Sequence, residues 1–376
     1  MEEITRRAPF RDRRTGSLRV RLVALVATAM LASSCASSAP GPTGPASIAP
    51  NPTVTANATV APNPTPSPNT TMTAPPTVTA SGSGGGKPQF PMTVTDDEGT
   101  QLTLPSEPQR IVSLSPANTE IVFTLGEGAK VVGGTPDDDY PPGAGDPPDV
   151  ISATTVVIEE VVALQPDLIL AAGDGFTPEA TIQQLRALGL HVLVVYAGTV
   201  DQVLADIDLI GNAIGVGEAA TTLTDQMETR VQEVTAAAAA ETSKPRTFYE
   251  IDASDAIYGP APDSFLANMI QLAGGVAVTT ADAATYEIPL EDLVRADPEV
   301  IVLGDADYGA CPNDVVARPG WGQMTAVHDG AIRPIDDTIV TRPGPRIGEG
   351  LAALAAAIHP DLVLTPPPPA PPAPAC

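Results

Sequence analysis

The sequence predicts an α/β protein of two similar lobes, each with a mainly parallel β-sheet, joined by one long α-helix. Three observations support this fold class. Short apolar strands alternate with helices in both halves of the chain. A long helical pattern over 199–241 separates these halves. One thirteen-residue segment occurs once on each side of that pattern, as expected if the two halves are related.

The elements of the first half follow in order from residue 92. Residues 92–104 alternate in polarity on both sides of an Asp-Asp-Glu-Gly turn, which predicts a β-hairpin. A strand at 110–115 then leads into a helix that ends near Gly126. The apolar runs VVGG, DLILAAG and HVLVVY alternate with further helices, which favours a parallel sheet.

The connecting segment over 199–241 is predicted to be one long helix. Gly215 and Gly217 are expected to kink it. After Pro245 the alternation of strands and helices restarts, and it ends with a helix over 345–358. Apolar residues recur at helical spacing within the connection: Val203, Ile207, Ile210, Ile214, Leu223, Met227, Val231 and Val234.

The repeated segment reads IEEVVALQPDLIL at 158–170 and LEDLVRADPEVIV at 290–302. Carboxylates at the start of a helix are often no more than solvated groups that suit the helix dipole. That interpretation does not explain why each half carries the same acids, so a shared role is predicted for Glu159 and Glu291. The aligned pairs are Glu159 with Glu291, Glu160 with Asp292, Val162 with Val294, Pro166 with Pro298 and Asp167 with Glu299.

The ends of the chain differ in composition from its middle. Residues 1–34 combine an arginine-rich start with a short apolar run, which is typical of a signal peptide, and Ala-Ser-Ser before Cys35 resembles a lipoprotein cleavage site. Residues 35–87 and 365–376 are rich in proline and small residues and are predicted to be a disordered tether and tail. The N-terminal lobe is therefore expected over 88–198 and the C-terminal lobe over 242–364.

The net charge, the few cysteines and histidines, and the absence of catalytic motifs each argue against particular functions. A formal charge of −26 disfavours binding to nucleic acid, because that affinity comes from Lys and Arg on phosphates. Three cysteines are too few for a disulfide framework, and three dispersed histidines disfavour a His-rich metal site. The sequence has no GxSxG, HExxH or Rossmann glycine motif, so no catalytic residue, no cofactor and no enzyme activity are predicted.

Seven motifs in order resemble the cobalamin/iron-siderophore class of ABC-transporter substrate-binding proteins over roughly 90–361. The resemblance implies a ligand cleft between the lobes, an ABC permease with its ATPase as partner, and one surface glutamate per lobe that docks on permease arginines. By position these are Glu159 and Glu291. It also implies a secreted monomer, lipid-anchored through Cys35 to the outer face of the bacterial plasma membrane. The motifs are RIVSLSPANTEIVFTLG, VVGGTPDDDYPP, IEEVVALQPDLILA, FLANMIQLAGG, LEDLVRADPEVIVL, ARPGWGQMTAVHDGAIRPID and RPGPRIGEGLAALAAAIHP.

Ligand-binding residues are expected on the loops after the strands, where ligands of open α/β sheets bind. Tyr258 and Arg342 are the first candidates, because related cobalamin binders use an aromatic residue and an arginine at the matching positions. Trp321 is a further candidate that could instead pack the second lobe, and Arg346 is expected to be structural. The remaining candidates are Asn118, Tyr140, Phe176, Tyr286 and Tyr308.

A corrinoid or a ferric siderophore is the expected ligand. The resemblance disfavours haem, because haem-binding relatives carry a tyrosine shortly before the first-lobe glutamate and none precedes Glu159 closely here. Siderophore binders of the family often use several cleft arginines, so the scarcity of basic residues favours a corrinoid over an acidic siderophore. The alternative is a metal-ion-binding protein or a surface lipoprotein that keeps the fold without transport. The sequence Asp137-Asp138-Asp139 is expected to be a solvated loop rather than an ion site.

Overall fold

A computed structural model describes residues 78–79, 88–152, 155–173, 176–282, 285–367 and 369, which all belong to one compact unit of the chain. The predicted signal peptide, Cys35 and most of the predicted tether lie outside these residues. The strands are β1 (Val78–Thr79), β2 (Met92–Thr95), β3 (Gln101–Leu104), β4 (Ile111–Ser113), β5 (Val131–Gly133), β6 (Ile151–Ser152), β7 (Thr155–Val156), β8 (Leu168–Ala172), β9 (Val192–Val195), β10 (Arg246–Glu250), β11 (Val276–Ala277), β12 (Val300–Leu303) and β13 (Ile332–Pro334). The helices are α1 (Pro116–Thr124), α2 (Ile158–Ala163), α3 (Glu179–Ala187), α4 (Val200–Ala213), α5 (Gly217–Ala240), α6 (Phe265–Leu272), α7 (Leu290–Ala296), α8 (Pro312–Ala317), α9 (Thr325–His328), α10 (Asp337–Thr341) and α11 (Ile347–Ile358).

The two lobes have the same sheet topology. The N-terminal sheet has the strand order β5-β4-β8-β9 and the C-terminal sheet has the order β11-β10-β12-β13, with every pair parallel. Residues Leu168–Ala171 and Val300–Leu303 are buried, as expected for parallel strands covered on both faces. The predicted hairpin over 92–104 is confirmed by the antiparallel pairing of β2 with β3.

The repeated segment occupies the same place in each lobe. It forms α2 and β8 in the first lobe and α7 and β12 in the second, so it leads into an inner strand of each sheet. The backbone repeats as well. The residue before the shared proline has a positive φ in both copies, 49° at Gln165 and 47° at Asp297. Two α/β lobes related by this segment are therefore confirmed.

Hydrogen bonds explain why the C-terminal part of the segment recurs. Asp167 accepts from the backbone N–H groups of Gln109 and Arg110 just before β4, and Glu299 accepts from the N–H of Arg246 at the start of β10. Each arginine side chain also donates to carbonyl groups at the end of the adjacent helix, at 2.6–3.2 Å. The Pro-acid pair therefore fixes how each helix meets its sheet, which is a structural role.

The connection between the lobes is two helices rather than one. Gly215 adopts a φ of +90°, a conformation that favours glycine, and it separates α4 from the 24-residue α5. The α4 helix packs on α1 and β2 of the first lobe and also reaches α6 of the second, whereas α5 packs on α11 and α6 of the second lobe. The side chains predicted to face the core are confirmed as buried at Ile207, Val234 and most intervening positions.

Both predicted disordered segments contain residues that pack on the fold. Val78 and Thr79, inside the predicted tether, form β1 and pair with β2. In the predicted tail, the carbonyl of Pro366 accepts a hydrogen bond of 2.9 Å from Arg230 of α5. The alternating Val-Thr pattern at 77–79 was the available signal for this strand, and the proline-rich surroundings obscured it.

Cys311 is buried and disulfide-bonded. Its two possible partners, Cys35 and Cys376, lie outside the described residues. Among the helices of the described ranges, none has the length and apolar character that crossing a membrane requires.

Candidate functional site

Glu159 and Glu291 occupy equivalent exposed positions on the two lobes. Each is the second residue of its helix, α2 or α7, where a carboxylate suits the positive end of the helix dipole. Within the described part of the chain, neither carboxylate forms an ion pair or a side-chain hydrogen bond. Asp292, in contrast, pairs with Arg295. Each lobe therefore presents an available carboxylate at this shared position, and in the first lobe the adjacent Glu160 is exposed as well.

The predicted ligand residues all follow the carboxyl ends of parallel strands. These edges of the two sheets supply the loops from which a cleft is built. Asn118 follows β4, Tyr140 follows β5, Phe176 follows β8, Tyr258 follows β10, Tyr286 comes after β11, Tyr308 follows β12 and Arg342 comes after β13.

Arg342 connects the two lobes. Its Nη1 lies 2.7 Å from Oδ1 of Asp139 in the loop after β5, and 3.9 Å from Oε2 of Glu120 in α1. Its other terminal nitrogen, Nη2, lies 3.5 Å from the carbonyl oxygen of Asp137. Arg342 was predicted to face a ligand, and in this structure its guanidinium group is bound to the other lobe.

Arg346 makes a second connection between the lobes. Its Nε and Nη2 donate to the two oxygens of Glu120 at 2.8 and 2.9 Å, which is a bidentate geometry. Its guanidinium carbon also lies 4.1 Å from the ring centroid of Tyr140, a cation–π distance. Glu120 is only 1% exposed, so the pair is well shielded from water. The structural role expected for Arg346 agrees with these contacts.

Tyr308 lies in the same region as these ion pairs. Desolvation raises the pKa of its phenol, the nearby charges of Asp337, Asp137 and Asp307 add to this, and Arg342 opposes it in part. These acids come from both lobes, so Tyr308 stands between the two sets of strand-end loops. With 80% of its surface exposed, its ring is available to a ligand. Tyr140, Tyr308 and Arg342 therefore lie around the same group of ion pairs, and their role in ligand binding stays a prediction.

The other predicted residues are more scattered. Tyr258 and Tyr286 are neighbours through a backbone bond from Gly259 to the Tyr286 carbonyl. Phe176 is 76% exposed and lies 6.3 Å from the ring of Tyr196. No described contact joins Phe176, Tyr258 or Tyr286 to the group around Arg342. Asn118 is buried, and its Nδ2 has no hydrogen-bond partner in the described structure.

Several acidic residues at this edge were missed from the sequence. Asp307 follows β12, and Asp336 and Asp337 follow β13, so the strand-end rule would have found them. The expectation of a solvated Asp137-Asp138-Asp139 loop is wrong for its middle residue. Asp138 is buried and accepts from the Thr135 backbone N–H and from the hydroxyls of Thr135 and Thr119.

Behind the C-terminal loops lies a buried ion pair. Arg318 donates to both oxygens of Glu250 at 2.6 and 2.8 Å, and Glu250 is fully buried. The guanidinium group of Arg318 also lies 4.6 Å from the ring of Trp321. Trp321 is 3% exposed, so it packs the second lobe rather than facing a ligand.

Asp305 completes this buried group. Desolvation and the adjacent Glu250 charge raise the pKa of its carboxyl to about 7, and Arg318 opposes this shift only in part. Because the folded state keeps the proton that the unfolded chain has lost, stability falls as the pH rises from about 4 to about 7. The maximal slope for one proton is about 1.4 kcal/mol per pH unit.

We expect Asp305→Asn to remove most of this pH dependence, since asparagine carries no titrating proton. Urea denaturation between pH 4.5 and 8 measures the difference between the two proteins. The exposed Asp361→Asn variant, which removes no described ion pair, is the matched control and should keep the wild-type slope. Parallel curves for wild type and Asp305→Asn would contradict the assignment.

Two cavities lie away from the predicted residues. One of about 490 Å³ is lined by residues 198–199 and by residues of 262–279, and one of about 260 Å³ is lined by β13, α10, α11 and Pro369. Neither contains a residue predicted to bind the ligand. In the described ranges, no three His, Cys, Asp or Glu side chains cluster closely enough to hold a metal ion.

The chain is similar to proteins that bind solutes outside the cytoplasm. Residues 111–338 match the family described as "Periplasmic binding protein". An uncharacterized ABC transporter substrate-binding lipoprotein of Bacillus subtilis is 32% identical over 276 residues, which cover 72% of this chain and 87% of that protein. A cobalamin-binding protein of Halobacterium salinarum is 31% identical over 292 residues, covering 72% of this chain and 74% of that protein.

Solved structures have the same fold. A possible iron-binding, periplasmic solute-binding protein of Staphylococcus epidermidis superimposes with a TM-score of 0.57 at 26% identity, covering 68% of this chain and all of that chain. The periplasmic vitamin B12-binding protein of Vibrio cholerae gives a TM-score of 0.60 at 24% identity, covering 67% of this chain and 97% of that chain, and supports the fold alone. This chain belongs to the periplasmic binding protein family, which consists of solute-binding proteins rather than enzymes.

Proposed function

We propose that this protein is the extracytoplasmic solute-binding component of an ABC importer. It captures a corrinoid or a ferric siderophore between its lobes and delivers it to the membrane permease and its ATPase. The relatives named for ABC transport and for cobalamin binding support this proposal, and so does their coverage of both lobes.

The observation that carries the proposal is the equivalence of Glu159 and Glu291. Both are exposed, both start the helix that precedes an inner strand, and the two lobes repeat around them. A symmetric pair of carboxylates suits a permease with one arginine pocket for each lobe, because carboxylate–guanidinium pairs are directional. Two contacts on different lobes also allow the permease to sense the positions of the lobes.

The ligand cleft is assigned to the strand-end loops around Tyr140, Tyr308 and Arg342. Aromatic rings on both lobes suit a flat macrocycle, and Tyr308 is the most exposed of these three residues. Ligand binding would compete with Asp139 for Arg342. Tyr258, Tyr286, Phe176 and Asn118 are the further candidates, at the ends of neighbouring strands.

Attachment through Cys35 is part of the same proposal. A lipid on Cys35 would keep the protein at the outer face of the plasma membrane, close to its permease. We propose that the protein acts there as a monomer. The residues between Cys35 and the fold would set its reach. Mass spectrometry of the N-terminal peptide from the native protein tests this, and an unmodified Cys35 would contradict it.

Ligand binding is tested with the full chain purified in detergent. We expect cyanocobalamin or a ferric siderophore to raise the melting temperature and to bind stoichiometrically in isothermal titration calorimetry, because a ligand that binds only the folded state stabilises it. Haemin is included as a comparison and is expected to bind more weakly. If no corrinoid or ferric siderophore binds, the proposed function is wrong.

A further inference from the structure

The arginines at the cleft are already neutralised by carboxylates. Arg346 is held by both oxygens of Glu120, and Arg342 is held by Asp139 with Glu120 near it. Behind them, Arg318 is bound by both oxygens of Glu250. A ligand carboxylate would therefore have to displace a protein carboxylate before it could bind any of these three side chains.

The described lysines do not provide a cation for a ligand carboxylate either. Lys130 precedes β5 and pairs with Glu107 and Glu127, and Lys244 precedes β10 and donates to the carbonyl of Ala238. Both therefore lie at the amino ends of their strands, opposite to the edges that form the cleft. Lys130 and Lys244 are the only lysines among the described residues.

Four carboxylates at the cleft have no such neutralisation. Within the described residues, none of them forms an ion pair, and the donors to two of them are uncharged. Asp336 accepts from the N–H and hydroxyl of Thr338, and Asp337 accepts from the hydroxyls of Tyr249 and Thr341. The four residues are Asp137, Asp307, Asp336 and Asp337.

These four carboxylates lie close to one another, near Tyr308 and between the two lobes. The carbonyl oxygen of Asp137 in the first lobe lies 3.5 Å from Nη2 of Arg342, which directly follows α10 of the second lobe. Residues 304–308, which include Asp307 and Tyr308, pack on α10, and Asp336 and Asp337 lie at its start. Asp336 in turn lies close enough to Asp307 to raise the pKa of that carboxyl. The space between the lobes at Tyr308 therefore carries a negative potential from both sides.

We propose that this cleft selects ligands without carboxylate groups, so that its substrate is a corrinoid with an amide periphery or another uncharged or cationic chelate. The inference rests on the proposed function and narrows its ligand class. Amide N–H groups of such a ligand can donate to carboxylates that have no ion-pair partner, and these carboxylates attract a cationic metal centre. A ligand carboxylate meets like charges in a partly desolvated space and finds no free cation.

The test compares corrinoids of nearly equal size and different charge. Cyanocobalamin carries peripheral amides, and its monocarboxylate derivatives have one of these amides hydrolysed. We expect each monocarboxylate to bind the full chain at least about tenfold more weakly than cyanocobalamin at low ionic strength. The difference should shrink at 1 M salt, because screening weakens charge–charge interactions. For chelates, the cationic ferrioxamine B should bind more tightly than a trianionic ferric tris-catecholate.

A double variant tests whether the carboxylates of the cleft cause the preference for cyanocobalamin over its monocarboxylates. Asp307→Asn with Asp336→Asn should reduce the discrimination between cyanocobalamin and its monocarboxylates by about threefold or more. Asparagine is also a good helix N-cap, so Asp336→Asn preserves the start of α10. Asp225→Asn with Glu228→Gln removes the same charge from the exposed face of α5 and should leave the discrimination unchanged.

Different results of these binding measurements would contradict the inferred ligand class or the proposed importer function. Binding of cyanocobalamin and its monocarboxylates with equal affinity, or tighter binding of the tris-catecholate than of ferrioxamine B, would overturn the inference while the importer function stands. A loss of discrimination in the α5 control as well would attribute the effect to net charge and overturn the assignment to the cleft. No binding of any probe would contradict the proposed function itself.

Discussion

Charge reversal of Glu159 and Glu291 together should reduce ligand uptake by about 100-fold or more and leave ligand affinity unchanged. Each substitution to arginine replaces an attraction to a permease arginine with a repulsion. A loss of about 1.4 kcal/mol at each contact corresponds to a factor of about ten. Both glutamates lie on the outer helices α2 and α7, and neither contacts the strand-end loops through a described hydrogen bond. The cleft should therefore be unaffected.

The measurement pairs whole-cell uptake of radiolabelled cyanocobalamin with calorimetry on the purified variant. The matched control is Glu179→Arg with Glu228→Arg, which reverses two exposed acids on α3 and α5. It makes the same change in net charge and should retain uptake. If the Glu159 and Glu291 variant lost ligand affinity, the two carboxylates would belong to ligand binding. Normal uptake by this variant would exclude the docking role.

Arg318→Ala is expected to lower the free energy of unfolding by about 3–5 kcal/mol at pH 7.5. The substitution leaves Glu250 buried without its cation and beside Asp305, and an unpaired buried charge is costly. The variant also loses the stacking of the guanidinium group on Trp321. Because a proton on Asp305 removes the repulsion between its carboxylate and Glu250, the loss should be smaller at pH 5 than at pH 7.5.

Urea denaturation at both pH values measures this effect. Arg295→Ala is the control, since Arg295 pairs with Asp292 on the surface of α7 and its side chain is 73% exposed. Removing that pair should change stability by no more than about 0.5 kcal/mol. Equal losses in the two variants would contradict the importance of burial. An Arg318→Ala loss that does not depend on pH would contradict the contribution of the Asp305 proton.

The sequence predicted the parts of the fold that depend on local pattern. Periodicity identified the strands, and the repeat at 158–170 and 290–302 revealed two related lobes. It did not predict the break between α4 and α5 as a full interruption, because two glycines in a helical pattern are compatible with a kink. Nor did it place Val78 and Thr79 in a strand, since that pairing depends on β2 rather than on their proline-rich neighbours.

The acids shared by the two copies of the repeated segment have two different structural settings. The sequence singled out Glu159 and Glu291 among these shared acids and assigned no role to Asp167 and Glu299. The structure separates them, because Asp167 and Glu299 accept hydrogen bonds at the start of a neighbouring strand, whereas Glu159 and Glu291 are exposed on their helices. The assignment of the last two to permease docking stays a prediction.

The sequence by itself determined the fold class, the presence of two lobes and the positions of the strand-end loops, because these follow from short-range periodicity and from an internal repeat. Only the tertiary structure decided which charges meet. Arg342 is 203 residues from Asp139 along the chain, and Arg346 is 226 residues from Glu120. No local pattern encodes such pairs, because their contact depends on how the two lobes pack. That packing pairs Arg342 with Asp139 and Arg346 with Glu120.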